Sequence, residues 1–238
     1  MFLPYQKLTG AATQILYAIP FLSSRITIRI LSVRNILYPL IGGWLAGFLI
    51  VTNPCILHAS QMENSMQKAT FGAGCFWGIE KVFGELKGVI STQVGYTGGT
   101  LAHPTYEEVC TGRTGHAEAL EITYDPARIR YEDLLEVFWR HHDPTTHDRQ
   151  GPDIGSQYRS VIFYHSPEQK VAAEKSRSLL EQSKIFKNTI VTQIAPAETF
   201  YPAEEYHQKY LKKNPHGYCS LQVQSGKISE ILRNPAVN

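Results

Sequence analysis

The chain has 238 residues, enough for one sizeable domain plus an appendage. Of its 23 Lys and Arg, four (Lys7, Arg25, Arg29, Arg34) fall in residues 1–62, which contain no acid; the other 19 face 21 acidic groups, so the body is close to neutral and lacks the basic stripe a nucleic-acid binder wants. Four cysteines at 55, 75, 110 and 219, with no C-x-x-C pair, exclude a zinc ribbon and do not resemble a disulfide-stapled secreted domain.

From Asn35 to Met62 there is no charged residue, and Ile36 to Val51 is a nearly continuous apolar run of 16 residues preceded by arginines. A basic start, an apolar core and the small-residue stretch His58-Ala59-Ser60 are the layout of an export signal. Extension through Leu57 gives residues 35–57 the length for membrane association, although Pro39, Gly42 and Gly43 weaken a helix there. Two other readings stand beside this one: an acid-free transit segment, or an extension upstream of a true start at Met62 or Met66. The first places the protein at a membrane or outside the cell, the last in the cytoplasm. Residues 1–65 are expected as a leader and 66–238 as the working domain.

In the body, Lys68 to Phe71 predicts a short strand. Phe76, Ile79, Phe83 and Leu86 recur at helical spacing, so a helix begins at or next to Cys75. Val89 to Val94 predicts a strand running into the turn Tyr96-Thr97-Gly98-Gly99. Thr105 and Glu108 are spaced as a capping box for a short helix. Ala117 to Tyr124 alternates, with Glu118, Leu120, Ile122 and Tyr124 on one face. Tyr131, Leu134, Leu135, Phe138 and Trp139 mark an amphipathic helix that stops before Asp143-Pro144. A polar loop runs to Gly155, and Gln157 to His165 predicts a central strand. Ser166-Pro167-Glu168-Gln169 opens a helix to about Ile185, and Ile190 to Ala195 predicts another strand. Ala203 to Lys213, with acids early and lysines late, predicts a helix, and an irregular tail follows from His216. With the extra helices set aside, the order strand, helix, strand, strand, helix, strand is that of a split βαβ, two-layer α/β sandwich (α+β).

The chemistry centres on Gly72-Ala-Gly-Cys-Phe-Trp-Gly78. A thiol at a helix start meets unpaired backbone N–H groups and the positive end of the helix dipole, which favour the nucleophilic thiolate. Most lone cysteines are small buried packing residues, but three glycines and two aromatics around one thiol are costly for packing alone. Glu118, at the start of a strand on its apolar face, is placed to have its pKa raised by burial and so to hold a proton at neutral pH.

The run GCFWG resembles the motif of the peptide methionine sulfoxide reductase A family. The resemblance extends through YTGG (96–99), HPTYEEVCTGRTGHAE (103–118), HDPTTHDRQGPDIGSQYRS (142–160) and NPHGYC (214–219), and so covers almost everything from Lys68 to Cys219. It implies a ferredoxin-like core and reduction of the S epimer of methionine sulfoxide, free or in proteins, with no bound cofactor. It implies Cys75 as nucleophile, Glu118 as proton donor, and Tyr96 and Tyr158 as hydroxyls at the sulfoxide oxygen. Asp153 resembles the acid that organises the site. Phe76 and Trp77 would cage the S-methyl group, and Tyr218 would line the mouth. Cys219 resembles the recycling thiol. It is followed by Ser-Leu-Gln with no further cysteine, so one resolving step is expected, then exchange with thioredoxin, or with dithiothreitol in vitro. Cys110 is expected as a buried structural thiol, and the protein as a monomer. The rivals are a cysteine hydrolase with His116 as base and Glu118 as its orienter, and a membrane-tethered binding module using the aromatic pocket. His141, His142, Asp143, His147 and Asp148 fit no standard metal-ligand spacing, so no metal is expected.

Overall fold

A computed structural model describes residues 66–234. The leader expected over 1–65, with its apolar stretch at 35–57 and Cys55, lies outside the described residues.

Strand β1 (Gln67–Ala73) is the axis of the sheet, with consecutive residues Thr70 and Phe71 both buried, so both of its faces are covered. It is followed by α1 (Phe76–Gly84), β2 (Val89–Thr97), α2 (Tyr106–Cys110), β3 (Ala117–Tyr124) and α3 (Tyr131–Arg140). A two-stranded hairpin, β4 (Arg149–Gln150) with β5 (Asp153–Ile154), precedes β6 (Ser160–Tyr164). Then come α4 (Pro167–Ser183), β7 (Gln193–Pro196), β8 (Tyr201–Pro202), α5 (Tyr210–Lys213) and α6 (Lys227–Arg233). The main sheet runs β7-β6-β1-β3-β2-β8. Strand β3 lies between β1 and β2, and β1 lies between β3 and β6, all antiparallel. The units β1-α1-β2 and β3-α3-β6 are therefore each split by a strand of the other, compatible with the ferredoxin-like core. Strand β7 adds in parallel to β6, and β8 adds antiparallel to β2.

The core forms where helices cover this sheet. Phe71 stacks against Phe83 and Phe138 with ring centroids 5.5 and 5.2 Å apart, which joins β1 to α1 and α3. Phe76, Ile79 and Phe83 repeat every three or four residues along α1 and are all buried, as are Leu120, Ile122 and Tyr124 along one face of β3. Each large apolar side chain removed from water here contributes on the order of 1.5–3 kcal/mol.

The sequence-based expectation fails in three segments. The helix expected over 203–213 is only the single turn α5. Lys209 before it is left-handed (φ 52°), and residues 203–209 make only isolated turns, His207 N–H to Glu204 and Gln208 N–H to Glu205, while other groups of the segment bond β2 and α1. The expected irregular tail contains α6, whose Ile228 is fully buried and whose Arg233 makes a two-pronged ion pair with Glu136 at 2.8 and 3.2 Å. Cys110, expected to be buried, is exposed at the end of α2. Smaller shifts also occur: residues 156–158 form a 3-10 turn before β6, and β7 starts at Gln193.

Candidate active site

The polypeptide leaves β1 at Ala73 and turns through Gly74, whose φ of +84° suits glycine and whose Cβ would collide with Gln150, 2.6 Å away. Cys75 is the N-cap of α1 and makes no side-chain cap of its own. The backbone N–H of Phe76 donates to the Glu118 carboxylate at 3.1 Å, and that of Trp77 points at the Cys75 sulfur. The orphan donors of the helix start are thus shared between a carboxyl and a thiol.

This geometry overturns one expectation about Cys75. The thiol is not poised as a thiolate: burial pushes its pKa up, the charges of Glu118, Asp153 and Cys219 add to that, and the Trp77 N–H only partly opposes them. The helix start does act on the sulfur, but desolvation outweighs it. Glu118 is 2% exposed, and its pKa is raised to about 8. Burial is the main cause, the Phe76 N–H works against it, and the charge of Asp153 adds to it. A carboxyl in that state carries a proton at neutral pH.

Antiparallel pairing sets Tyr96 of β2 directly opposite Glu118 of β3. Its hydroxyl, however, donates to Glu204 at 2.9 Å, so its proton is already committed. Tyr158 ends the 3-10 turn, and its hydroxyl bonds no described residue. Burial pushes its phenol up, then the charges of Glu118, Cys110, Asp153 and Cys75, which places the ring among the site's groups. Of the two tyrosines, Tyr158 is the one whose hydroxyl proton is uncommitted among the described residues. Asp153 accepts the Tyr218 hydroxyl at 2.8 Å through Oδ1, while its Oδ2 is buried without a partner. Tyr218 itself is exposed at the mouth. Cys219 lies over the first turn of α1: a Cβ on Gly78 would come 3.1 Å from its sulfur, and Leu221 crowds the same spot. No disulfide joins it to Cys75, and both thiols are free. Phe76 is buried and Trp77 half-buried beside it, the two rings 6.5 Å apart.

Residues 67–235 match the family model for peptide methionine sulfoxide reductase. The chain belongs to this family of thiol-dependent oxidoreductases. It is 64% identical over 155 residues to the peptide methionine sulfoxide reductase MsrA of Methanothermobacter thermautotrophicus, covering 65% of this chain and 92% of that one. To the MsrA of Geobacter sulfurreducens it is 58% identical over 157 residues, 66% of this chain and 97% of that one. Among solved structures, reduced Mxr1 from Saccharomyces cerevisiae is similar with a TM-score of 0.64 and 37% identity, covering 68% of this chain and 94% of that one. Methionine sulfoxide reductase A of Corynebacterium diphtheriae gives 0.59 and 40%, covering 65% and 78%.

Two of the histidines weighed above, His116 and His142, are already engaged by backbone groups. In the reductase His116 is buried, with Nδ1 accepting the Gly99 N–H at 3.1 Å and Nε2 2.7 Å from the Leu101 carbonyl, so it cannot serve as a hydrolase base. His142 is fully buried between the Phe138 carbonyl and Ser160, and burial lowers its pKa to about 4. Among the described residues no group of three or more His, Cys, Asp or Glu is placed to hold a metal ion. Sequence reasoning passed over Tyr106, Glu204 and His207. Glu204 accepts from the Tyr96 hydroxyl and the Tyr106 N–H, both at 2.9 Å, and His207 accepts from the Trp77 indole. Burial pushes the Glu204 carboxyl up, but its own backbone N–H and the bonds from Tyr106 and Tyr96 outweigh that, leaving its pKa lowered and the group ionised. Glu204 and His207 sit in a segment whose pattern reads as a surface helix. A cleft lined by Trp77, Glu80, Lys81, Ile90 and Lys212 contains neither Cys75 nor Glu118 and adjoins the site only through Trp77.

Proposed function

We propose that the chain reduces the S epimer of methionine sulfoxide, free or within proteins, and so repairs oxidised proteins. Protonated Glu118 hands its hydrogen to the sulfoxide oxygen while the Cys75 sulfur attacks the sulfoxide sulfur. In the adduct the protonated oxygen passes from the substrate sulfur to Cys75 as the bond between the two sulfurs breaks, so the thioether leaves as methionine, Cys75 is left as a sulfenic acid, and the Cys75 thiol proton restores Glu118. The substrate sulfur gains the two electrons that Cys75 loses. Tyr158 donates to the oxygen as charge develops on it, and Tyr96 is held beside it by Glu204. Phe76 and Trp77 cage the S-methyl group, and Asp153 holds Tyr218 across the mouth. The thiol of Cys219 then displaces water from the sulfenic acid to give a disulfide, which a thioredoxin-type dithiol, or dithiothreitol in vitro, reduces. The chain works as a monomer with no bound cofactor. Its leader, if retained, associates with a membrane through residues 35–57.

The observation that carries this reading is the buried Glu118 carboxyl, its pKa pushed up by burial, bonded to the backbone of the residue after Cys75. The test offers the purified protein S- and R-sulfoxides with dithiothreitol. Consumption of the S epimer alone, with Cys219→Ser losing thioredoxin-driven turnover but keeping one stoichiometric reduction, supports it. Turnover of the R epimer, or no turnover of either, removes it.

A further inference from the structure

Of the segment 203–209 the reaction above uses only Glu204, yet the segment is fastened at several further points. The Ala203 N–H donates to the Val94 carbonyl at 2.9 Å. The Gln208 amide behaves like a peptide of a neighbouring strand: its oxygen accepts the Val94 N–H at 3.0 Å, and its nitrogen donates to the Val94 and Ala203 carbonyls at 2.9 Å. The Lys209 N–H donates to Glu80 on α1 at 2.6 Å. These bonds fix the segment to the edge of β2 and the flank of α1.

Between the fastenings lies His207, 1% exposed, its ring centroid 5.1 Å from Phe76, 4.6 Å from Tyr106 and 4.1 Å from Tyr206. Its Nδ1 accepts the Trp77 Nε1–H at 3.0 Å. An accepting Nδ1 fixes the neutral tautomer with its hydrogen on Nε2. That Nε2 is buried without a hydrogen-bond partner among the described residues, and it faces the Glu204 carboxylate at 3.8 Å. An aromatic box with one unmatched polar atom is a poor choice for packing, where Phe would fill the space without desolvating an N–H. What a phenyl ring lacks is the acceptor for Trp77. The indole is thereby held from two sides, stacked on Tyr210 at 3.8 Å and bonded by its edge to His207.

We propose that His207, faced by Glu204 and held by the Gln208 and Lys209 fastenings, is a positioning residue that fixes the Trp77 indole as a wall of the pocket for the substrate's S-methyl group. This deepens the proposed function and rests on it. Fixing a wall that meets substrate and transition state alike changes KM and leaves kcat alone.

The test compares wild type with His207→Phe, which keeps an aromatic ring, and His207→Asn, whose amide oxygen can take the place of Nδ1. The His207→Phe change is expected to raise KM for the S-sulfoxide about tenfold with kcat within about twofold of wild type, and His207→Asn to bring KM most of the way back. A second readout needs no turnover: in 15N-labelled wild type the Trp77 indole nitrogen, assigned through Trp77→Phe, shows a scalar coupling across the hydrogen bond to His207 Nδ1. In His207→Phe its indole proton signal shifts. Unchanged KM in His207→Phe, equal KM in the two variants, a fall in kcat at constant KM, or absence of the coupling would overturn the proposal. Wild type inactive on the S-sulfoxide but showing the coupling would instead sink the proposed function and leave the anchor standing.

Discussion

Burial pushes both Cys75 and Glu118 toward their protonated forms, and an ionised Glu118 raises the thiol further. The resting site is thus an uncharged acid beside an uncharged thiol, suited to a neutral, strongly hydrogen-bond-accepting substrate such as a sulfoxide. A carboxyl whose folded pKa stands near 8 instead of near 4.5 holds its proton more tightly in the folded state, so it costs stability as pH rises from about 4.5 through about 8. Glu118→Gln keeps an acceptor for the Phe76 N–H and has nothing to ionise. It is expected to be more stable than wild type at pH 9 by a few kcal/mol, and level with it at pH 4. Urea unfolding at the two pH values checks this. The same variant is expected to lose at least about a hundredfold in kcat/KM. In wild type, kcat/KM should fall as pH rises through about 8, which a pH–rate profile reads directly.

At the scale of elements, the recycling loop is seated by an absence. Gly78 faces Cys219 and Leu221, so Gly78→Ala puts a methyl 3.1 Å from the Cys219 sulfur and from Leu221. The first reduction is expected to survive, while disulfide formation slows about tenfold or more, since small misplacements are costly in rate. Rapid-quench titration of free thiols after one turnover separates the two steps. Beyond the loop, α6 closes the tail onto α3 and α4, and Ile228→Ala is expected to cost about 2–5 kcal/mol in denaturant unfolding. Neither feature was fully legible in the sequence. The strand–turn–helix at Cys75 and the alternation through Glu118 are local patterns, and both were readable. Seven residues of α6 give too little periodicity to stand out, and the burial that raises the Cys75 thiol is a property of the packed site.

For the whole molecule, the split βαβ order was written in the sequence of elements, and the sheet realises it as β6-β1-β3-β2. What the order of elements could not show is how distant segments meet. Glu204 and His207 reach Tyr96 and Trp77 from more than a hundred residues away, and their own segment carries a helical charge pattern that tertiary bonds override. All of the buried core among the described residues lies between Ala69 and Ile228. A chain starting at Met66 is therefore expected to unfold at the same Tm as the full chain and to keep its kcat/KM, which calorimetry and steady-state kinetics check. The central claim is that the sulfur of residue 75 takes the oxygen from an S-sulfoxide. Its most direct measurement is mass spectrometry of Cys219→Ser mixed with excess S-methionine sulfoxide and dimedone, without any thiol reductant. One methionine released per chain and one dimedone adduct, located on Cys75, is the predicted result; no methionine, or an adduct on Cys110 in place of Cys75, would contradict it.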